Sequence, residues 1–382
     1  MNDKFPALAN KFYFNYGGQG PLPQAALDAI FGGYQQIQSQ GPFGIKTSKL
    51  VIQESNLTRQ AIALELGVPA GSIALTENVT AGCNIALWGI NWQPGDRILV
   101  SDCEHPGVIA SIKEICRRFQ VLIDFFPLLA TLNSGDPVEV ITAYLQQQTR
   151  LVVLSHVLWN TGQVLPLAEI SAAIHQYPQA TDRIYILVDA AQSVGLLPLN
   201  LGELGVDFYA FTGHKWWCGP EGVGGLYIRP DLIEDLDPTF IGWRSLDYSK
   251  PDLPLINDAR RYEVATSAYP LYAGLRASIK LHQEWGSSIN RATKIINLAT
   301  YLWEQLQQVS GIKCLNQTAP QSGLVSFQVE SRNHGKLVQA LEDEHFYLRT
   351  IVDPDCIRAC THYFTSTAEI DALIQCLTKL IK

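Results

Sequence analysis

The chain has 382 residues, 47% of them hydrophobic and 17% charged, with a formal net charge of −8. That length exceeds a single core, so two domains are expected, and the apolar content excludes a disordered chain. The negative charge argues against nucleic acid or an anionic membrane as partner, and no apolar run is long enough to span a bilayer. The start, Met1-Asn2-Asp3-Lys4-Phe5-Pro6, lacks the regions of a signal peptide. The 8 cysteines form no Cys-x-x-Cys pair and read as reduced, mostly buried residues of a cytoplasmic protein.

In chain order, Gly17-Gly18-Gln19-Gly20-Pro21 predicts a loop, followed by a helix from about Pro23 to Gln38. Strands are expected at Ile73–Thr76, Arg97–Val100, Val121–Phe126, Leu151–Val157, Ile184–Val188 and Gly222–Ile228. Helices are expected from Asn78 through Trp88, and over Pro106–Phe119, Val138–Gln148 and Leu167–His175. Strands alternating with helices mean crossover units and a mainly parallel sheet. Past about residue 230 the pattern changes to a smaller α+β unit. Its helices are expected at Ala273–Trp285, Arg291–Gln308, His334–Glu344 and Ala368–Ile381, with an alternating strand at Ser322–Val329.

Ligands of open parallel sheets bind beyond the carboxyl ends of the strands. Asp189, His105 and the turn Asn78-Val79-Thr80-Ala81-Gly82 each follow an expected strand. Asp189 ends an apolar run, where an unpaired carboxylate costs several kcal/mol, and reads either as the partner of a pyridinium or as a strand-end Asp capping a turn. Lys215 lies in Phe211-Thr212-Gly213-His214-Lys215-Trp216, a setting that lowers a lysine pKa and suits it to act as a base. A strand-end carboxylate followed by such a lysine is what pyridoxal phosphate (PLP) requires. Thr80, at a helix start, is either a phosphate ligand or an ordinary cap. Arg349 and Arg358 flank an Asp/Pro-rich loop and read either as a carboxylate clamp or as ion pairs with Asp353 and Asp355.

These segments carry a resemblance to the class V aminotransferase group of fold-type I PLP enzymes, and nearly the whole chain is similar to the cysteine desulfurases. The matching segments include Tyr13-Phe14-Asn15, Asn78-Val79-Thr80, Glu104-His105, Ser155-His156-Val157, Asp189-Ala190-Ala191-Gln192-Ser193, Thr212-Gly213-His214-Lys215, Arg261-Tyr262-Glu263-Val264-Ala265-Thr266 and Arg358-Ala359. Within the group the chain most resembles the cyanobacterial-type L-cysteine/cystine C–S lyases, through Asn15 to Pro21 and Trp159-Asn160-Thr161-Gly162. The resemblance implies a large PLP-binding α/β domain over 16–255 and a small α+β domain from 1–15 and 256–382. Lys215 would link covalently to the cofactor, His105 would stack on its ring and Ala191 would lie under the opposite face. Asp189 would pair with the ring nitrogen and Gln192 would bond the phenolic oxygen. Thr80, Thr212 and His214 would hold the phosphate, and Ala81 would also contact the cofactor. Thr266 would reach the neighbouring subunit's phosphate, which implies a homodimer with shared sites. Arg358, with Arg349 and Asn160 nearby, would bind substrate.

One departure narrows the chemistry. Where desulfurases carry a catalytic cysteine after an Arg-Thr pair, this chain has Ile351-Val352-Asp353-Pro354-Asp355, and Cys356 comes later. Without an acceptor thiol, α,β-elimination from cystine or cysteine is expected, releasing a persulfide or sulfide able to supply iron–sulfur assembly. The rivals are a desulfurase using Cys356 or Cys360, an aminotransferase or epimerase, and a binding protein without cofactor.

Overall fold

The computed structural model describes residues 2–178, 183–330 and 332–381. A two-residue strand, β1 (Phe12–Tyr13), precedes two long helices, α1 (Gln24–Gln40) and α2 (Ile45–Leu66). The α/β region follows, with β2 (Ile73–Thr76), α3 (Val79–Gly89), β3 (Arg97–Ser101), α4 (Pro106–Phe119) and β4 (Leu122–Phe126). It continues through α5 (Pro137–Ala143), β5 (Thr149–Ser155), α6 (Leu167–Gln176), β6 (Tyr185–Asp189), α7 (Leu201–Leu204), β7 (Phe208–Thr212) and β8 (Gly224–Ile228). Then come α8 (Tyr269–Trp285), α9 (Ser288–Gln307), β9 (Ile312–Cys314), β10 (Leu324–Val329) and α10 (His334–Asp343). The chain closes with β11 (Phe346–Tyr347), β12 (Arg349–Ile351), β13 (Cys356–Cys360) and α11 (Thr367–Ile381).

Seven strands form the main sheet in the order β2-β8-β7-β6-β5-β3-β4. Pairing is parallel from β7 through β4 and antiparallel on both sides of β8. The inner strands β6, β7 and β8 are buried at every residue, as helix-covered sheets require. Alternate residues feed two cores. On one face Val152, Leu154, Ile186, Val188 and Phe211 pack with Ile62, Ile170 and Leu275. On the other Val153, Leu187 and Ala210 pack with Leu87, Ile112 and Ile115. A second, antiparallel sheet, β12-β13-β10-β9, builds a third core with residues of α9, α10 and α11. The architecture is α/β, with a large mainly parallel sheet and a smaller α+β part.

Several local expectations change. The helix expected over Val138–Gln148 stops at Ala143, and Thr149 already belongs to β5. The helix α2 has no clean apolar stripe because its buried face includes Thr47, Ser55, Thr58 and Arg59. Arg59 donates from Nε to the Ile73 carbonyl at 3.1 Å and pairs through Nη2 with Glu263 at 2.5 Å. The packing of α8 carries Tyr272, Leu275 and Ile279 into the large-sheet core, so that core extends past residue 255. No helix among the described residues is long and apolar enough to cross a membrane.

The start of α3 is held tightly to the sheet. A Cβ on Gly82 would stand 2.9 Å from the Ala210 Cβ and 3.3 Å from the Gly225 carbonyl oxygen. Gly82→Val is therefore expected to lower stability by about 1–3 kcal/mol through overpacking. Urea unfolding checks this, and an unchanged midpoint would contradict it.

Candidate active site

The parallel register brings the ends of β3, β5, β6 and β7 to one edge, and the candidate residues sit there or in the loops just beyond. Asp189 is the last residue of β6, level with Ser155 of β5 and Ala210 of β7. It is 5% exposed, and its Oδ1 accepts from the Ala191 amide at 2.9 Å. Burial raises its pKa, while that amide, Lys215 and His105 act in the opposite direction. Lys215, three residues past β7, has its pKa lowered to about 8 by burial. Asp189 opposes that shift, and the positive charges of Arg358 and Arg349 add to it. The carboxylate and the amine thus lie within each other's field.

Around this pair, α3 and α4 both begin at the same edge. The N-cap of α3 is Asn78, whose Oδ1 accepts from the Ala81 amide at 2.9 Å. The Ala81 N–H is therefore engaged by this cap, and Thr80 is not the cap. The side chain of Thr80 faces the start of α4. A Cβ on Gly107 would stand 3.6 Å from Thr80 Oγ1 and 3.3 Å from His105 Nδ1. His105 caps α4, its Nδ1 accepting from the Gly107 amide at 3.2 Å, and burial lowers its pKa. A neutral ring with its proton on Nε2 follows. Its edge meets Trp159 at a centroid distance of 5.6 Å. Thr212 Oγ1 and His214 Nδ1 are 2.6 Å apart, and burial, with Lys215 beside it, lowers the His214 pKa to about 4.

On the opposite side stands Arg358. It is 1% exposed, and Nη1 donates to the Trp159 carbonyl at 2.5 Å. Its Nε and Nη2 have no oxygen acceptor among the described residues. A Cβ on Gly17 would come within 3.0 Å of that Nη2. Gln192 donates from Nε2 to the Gly17 carbonyl at 2.8 Å and accepts at Oε1 from Trp216 Nε1 at 3.0 Å. Both ends of its amide are engaged, and one N–H remains for a ligand.

Arg349 and Arg358 do not merely flank a loop: they are direct cross-strand partners on β12 and β13. The alternative of ion pairs with Asp353 and Asp355 fails among the described residues. Asp355 pairs with His334 Nδ1 at 2.9 Å, and Asp353 offers its carbonyl to Asn160 Nδ2 at 3.2 Å. Asn160 is 3% exposed, and its Oδ1 is buried without a partner. Ala191 is half-buried beside Asp189. Thr266 is exposed and lies apart from Lys215, lining a cleft of about 470 Å³ with Ala81, Asn84, Arg244 and Glu263.

Two buried networks beneath the edge were not anticipated. Glu104 accepts from Ser101 Oγ (2.6 Å), the Ser155 amide (2.9 Å) and Ser155 Oγ (2.8 Å), tying the ends of β3 and β5 together. Burial pushes its pKa up to about 7, and the nearby Asp189 acts in the same direction. Tyr209 OH bonds His156 Nδ1 at 2.7 Å and Ser193 Oγ at 2.6 Å, while the His156 amide donates to the Asp189 carbonyl at 3.2 Å. The Glu104-His105 and Ser155-His156 pairs were the available signals, but isolated Ser and Tyr residues reveal no partner in sequence.

These residues fit the cofactor that the resemblance implies. A buried carboxylate has an oxygen available for a cation, a lysine of lowered pKa lies beside it, and hydroxyl and imidazole groups line a helix start. The Arg358 nitrogens that lack an oxygen acceptor form a seat for an anion.

Comparisons with known proteins identify the family. The family model for class-V aminotransferases matches residues 12–370. A probable cysteine desulfurase of Chlamydia trachomatis is 32% identical over 345 residues, covering 85% of this chain and 81% of that protein. Two solved structures of the protein C-DES superpose with a TM-score of 0.96. One is a lysine-to-alanine mutant with glycine covalently linked to its PLP cofactor, 49% identical, covering 99% of each chain. The other is the cystine C–S lyase C-DES with its reaction product cysteine persulfide, 50% identical, covering 98% of this chain and 99% of that one. With its lysine, aspartate and arginine gathered at one sheet edge, the chain belongs to the class-V aminotransferase family.

Proposed function

We propose that the protein is a PLP-dependent C–S lyase that acts on L-cystine, and on L-cysteine, by α,β-elimination to pyruvate, ammonia and a persulfide or sulfide. The observation that carries this reading is a buried Arg358 next to Lys215, with two nitrogens lacking an oxygen acceptor, beside a turn over 352–355 that contains no thiol.

When bound, PLP supplies an electrophilic carbon for the substrate amine and an electron sink that acidifies the substrate α-hydrogen. Asp189 would hold the proton of the ring nitrogen. Neutral His105 and Ala191 would flank the ring, and the remaining N–H of Gln192 would serve the phenolic oxygen. Thr80, Thr212 and His214 would hold the phosphate, and the cap on Ala81 keeps the α3 start in place. Arg358 binds the substrate carboxylate through Nε and Nη2, with Arg349 adding positive field and Asn160 closing the far side. Lys215 Nζ, its pKa already lowered, takes the α-proton. The Cβ–S bond then breaks with its electron pair on sulfur, and the released enamine hydrolyses to pyruvate and ammonia. A persulfide leaves more readily than hydrosulfide because its conjugate acid is the stronger, which favours cystine.

A desulfurase that stores sulfur on its own cysteine is disfavoured by burial. Cys356 and Cys360 are both 0% exposed, and burial pushes the Cys356 thiol up to about 12. Thiolate, the nucleophilic form, is scarce at Cys356. The exposure of Thr266 beside Ala81 supports a homodimer in which Thr266 serves the partner's phosphate site. Released sulfane sulfur could feed iron–sulfur acceptor proteins.

Replacing Cys356 and Cys360 together with alanine is expected to leave pyruvate formation from cystine intact, and its loss would favour the desulfurase. Arg358→Gln is expected to lower kcat/KM for cystine by roughly 10²-fold or more, because a desolvated carboxylate loses its charged partner. Cofactor uptake by the free protein should quicken as pH rises through about 8, where Lys215 becomes neutral. Asp189 supports the ammonium form, so Asp189→Asn should move that midpoint lower. A midpoint that rises, followed by absorbance, would contradict the placement of the two charges.

A further inference from the structure

Five consecutive carbonyls around Lys215 each receive a hydrogen bond, four of them from distant segments. The His214 carbonyl accepts from the Gly20 amide at 2.7 Å, and that of Lys215 from the Cys218 amide at 2.9 Å. Trp216 O is 3.0 Å from His362 Nε2, Trp217 O is 2.8 Å from His282 Nε2, and Cys218 O accepts from Ser278 Oγ at 3.0 Å. A carbonyl can only accept, so both imidazoles carry their proton on Nε2. His282 Nδ1 then accepts from Tyr363 OH at 2.7 Å. Burial lowers the pKa of both rings, so both stay neutral.

The donors come from three directions. Gly20 belongs to the N-terminal loop, Ser278 and His282 to one face of α8, and His362 to the segment leaving β13. His362 follows Arg358 by four residues in the sequence, and the intervening backbone is itself pinned. The Cys360 amide donates to Phe14 O at 2.7 Å and the Thr361 amide to Gly323 O at 2.9 Å. His362 therefore joins the strand that carries the guanidinium to the segment that carries the amine. It is 0% exposed, and its Nδ1 has no partner among the described residues, an arrangement that packing alone does not require.

We propose that His362, His282 and Ser278 are positioning residues that lock the backbone of the Lys215 segment to the Arg358 strand. They thereby set the separation between the amine that reacts and the guanidinium that holds the substrate carboxylate. The proposal rests on the roles given above to Lys215 and Arg358. An error of about 1 Å in such a separation can cost on the order of 10²-fold in rate.

Two substitutions separate positioning from packing. His362→Gln keeps a donor near the Nε2 position, whereas His362→Leu keeps volume only. Amide hydrogen exchange of the segment 213–219 is measured on the purified protein without substrate, and KM and kcat are then measured with cystine. His362→Leu is expected to speed exchange about tenfold, the loss of one net hydrogen bond, and to raise KM more than it lowers kcat. His362→Gln should restore both toward wild type. Ser278→Ala, which deletes one hydroxyl, should speed exchange in the same segment and decides the matter if His362→Leu does not fold. Equal behaviour of the Leu and Gln variants, or unchanged exchange in Ser278→Ala, overturns the proposal. If the wild-type protein releases no pyruvate from cystine, the proposed function fails, while the exchange comparison still decides whether these donors hold the segment.

Discussion

The site depends on one costly arrangement, an ionisable carboxylate and an ionisable amine held together at the end of a fully buried strand. Either charge alone would be heavily destabilised there. Burial raises the Asp189 pKa and lowers that of Lys215, and each group partly offsets the other's shift. The apolar sheet provides the low-dielectric surroundings that make this coupling strong. The common end of the parallel strands provides the place where side chains from β6 and the loop after β7 can meet.

Neighbouring groups are arranged to leave that pair undisturbed. His105, His214 and His156 all have lowered pKa values, so none adds a competing cation. The lasting positive charge comes from Arg358 and Arg349, adjacent across one strand pair. Their field favours neutral Lys215 and leaves a seat for a carboxylate. The same strand pair ends at a turn with no thiol, and Cys360, whose thiol lies against Arg358, is fully buried.

The parts of this structure legible in sequence are those governed by local rules. The apolar runs at Leu151–Leu154 and Ile184–Val188 announce buried strands, and Asp189 and Lys215 stand out against them. Arg358 was legible as an arginine but not as a buried one, because its alternatives, Asp353 and Asp355, are just as near in the chain. Its true neighbours, Gly17 and Trp159, are far away in sequence. The helix α2 is not legible in sequence because tertiary bonds satisfy its buried Thr58 and Arg59, which blurs the apolar period. His282 and His362 carry no local signal at all; only the fold brings them to the carbonyls of Trp217 and Trp216.

Elimination sends the sulfur out on a small molecule and leaves no oxidised thiol on the protein. The most direct measurement is the product balance of the PLP-loaded protein given L-cystine alone. Elimination predicts pyruvate and ammonia in equal amounts, accompanied by a low-molecular-weight persulfide. Alanine in place of pyruvate, with sulfane sulfur bound to the protein, would contradict it.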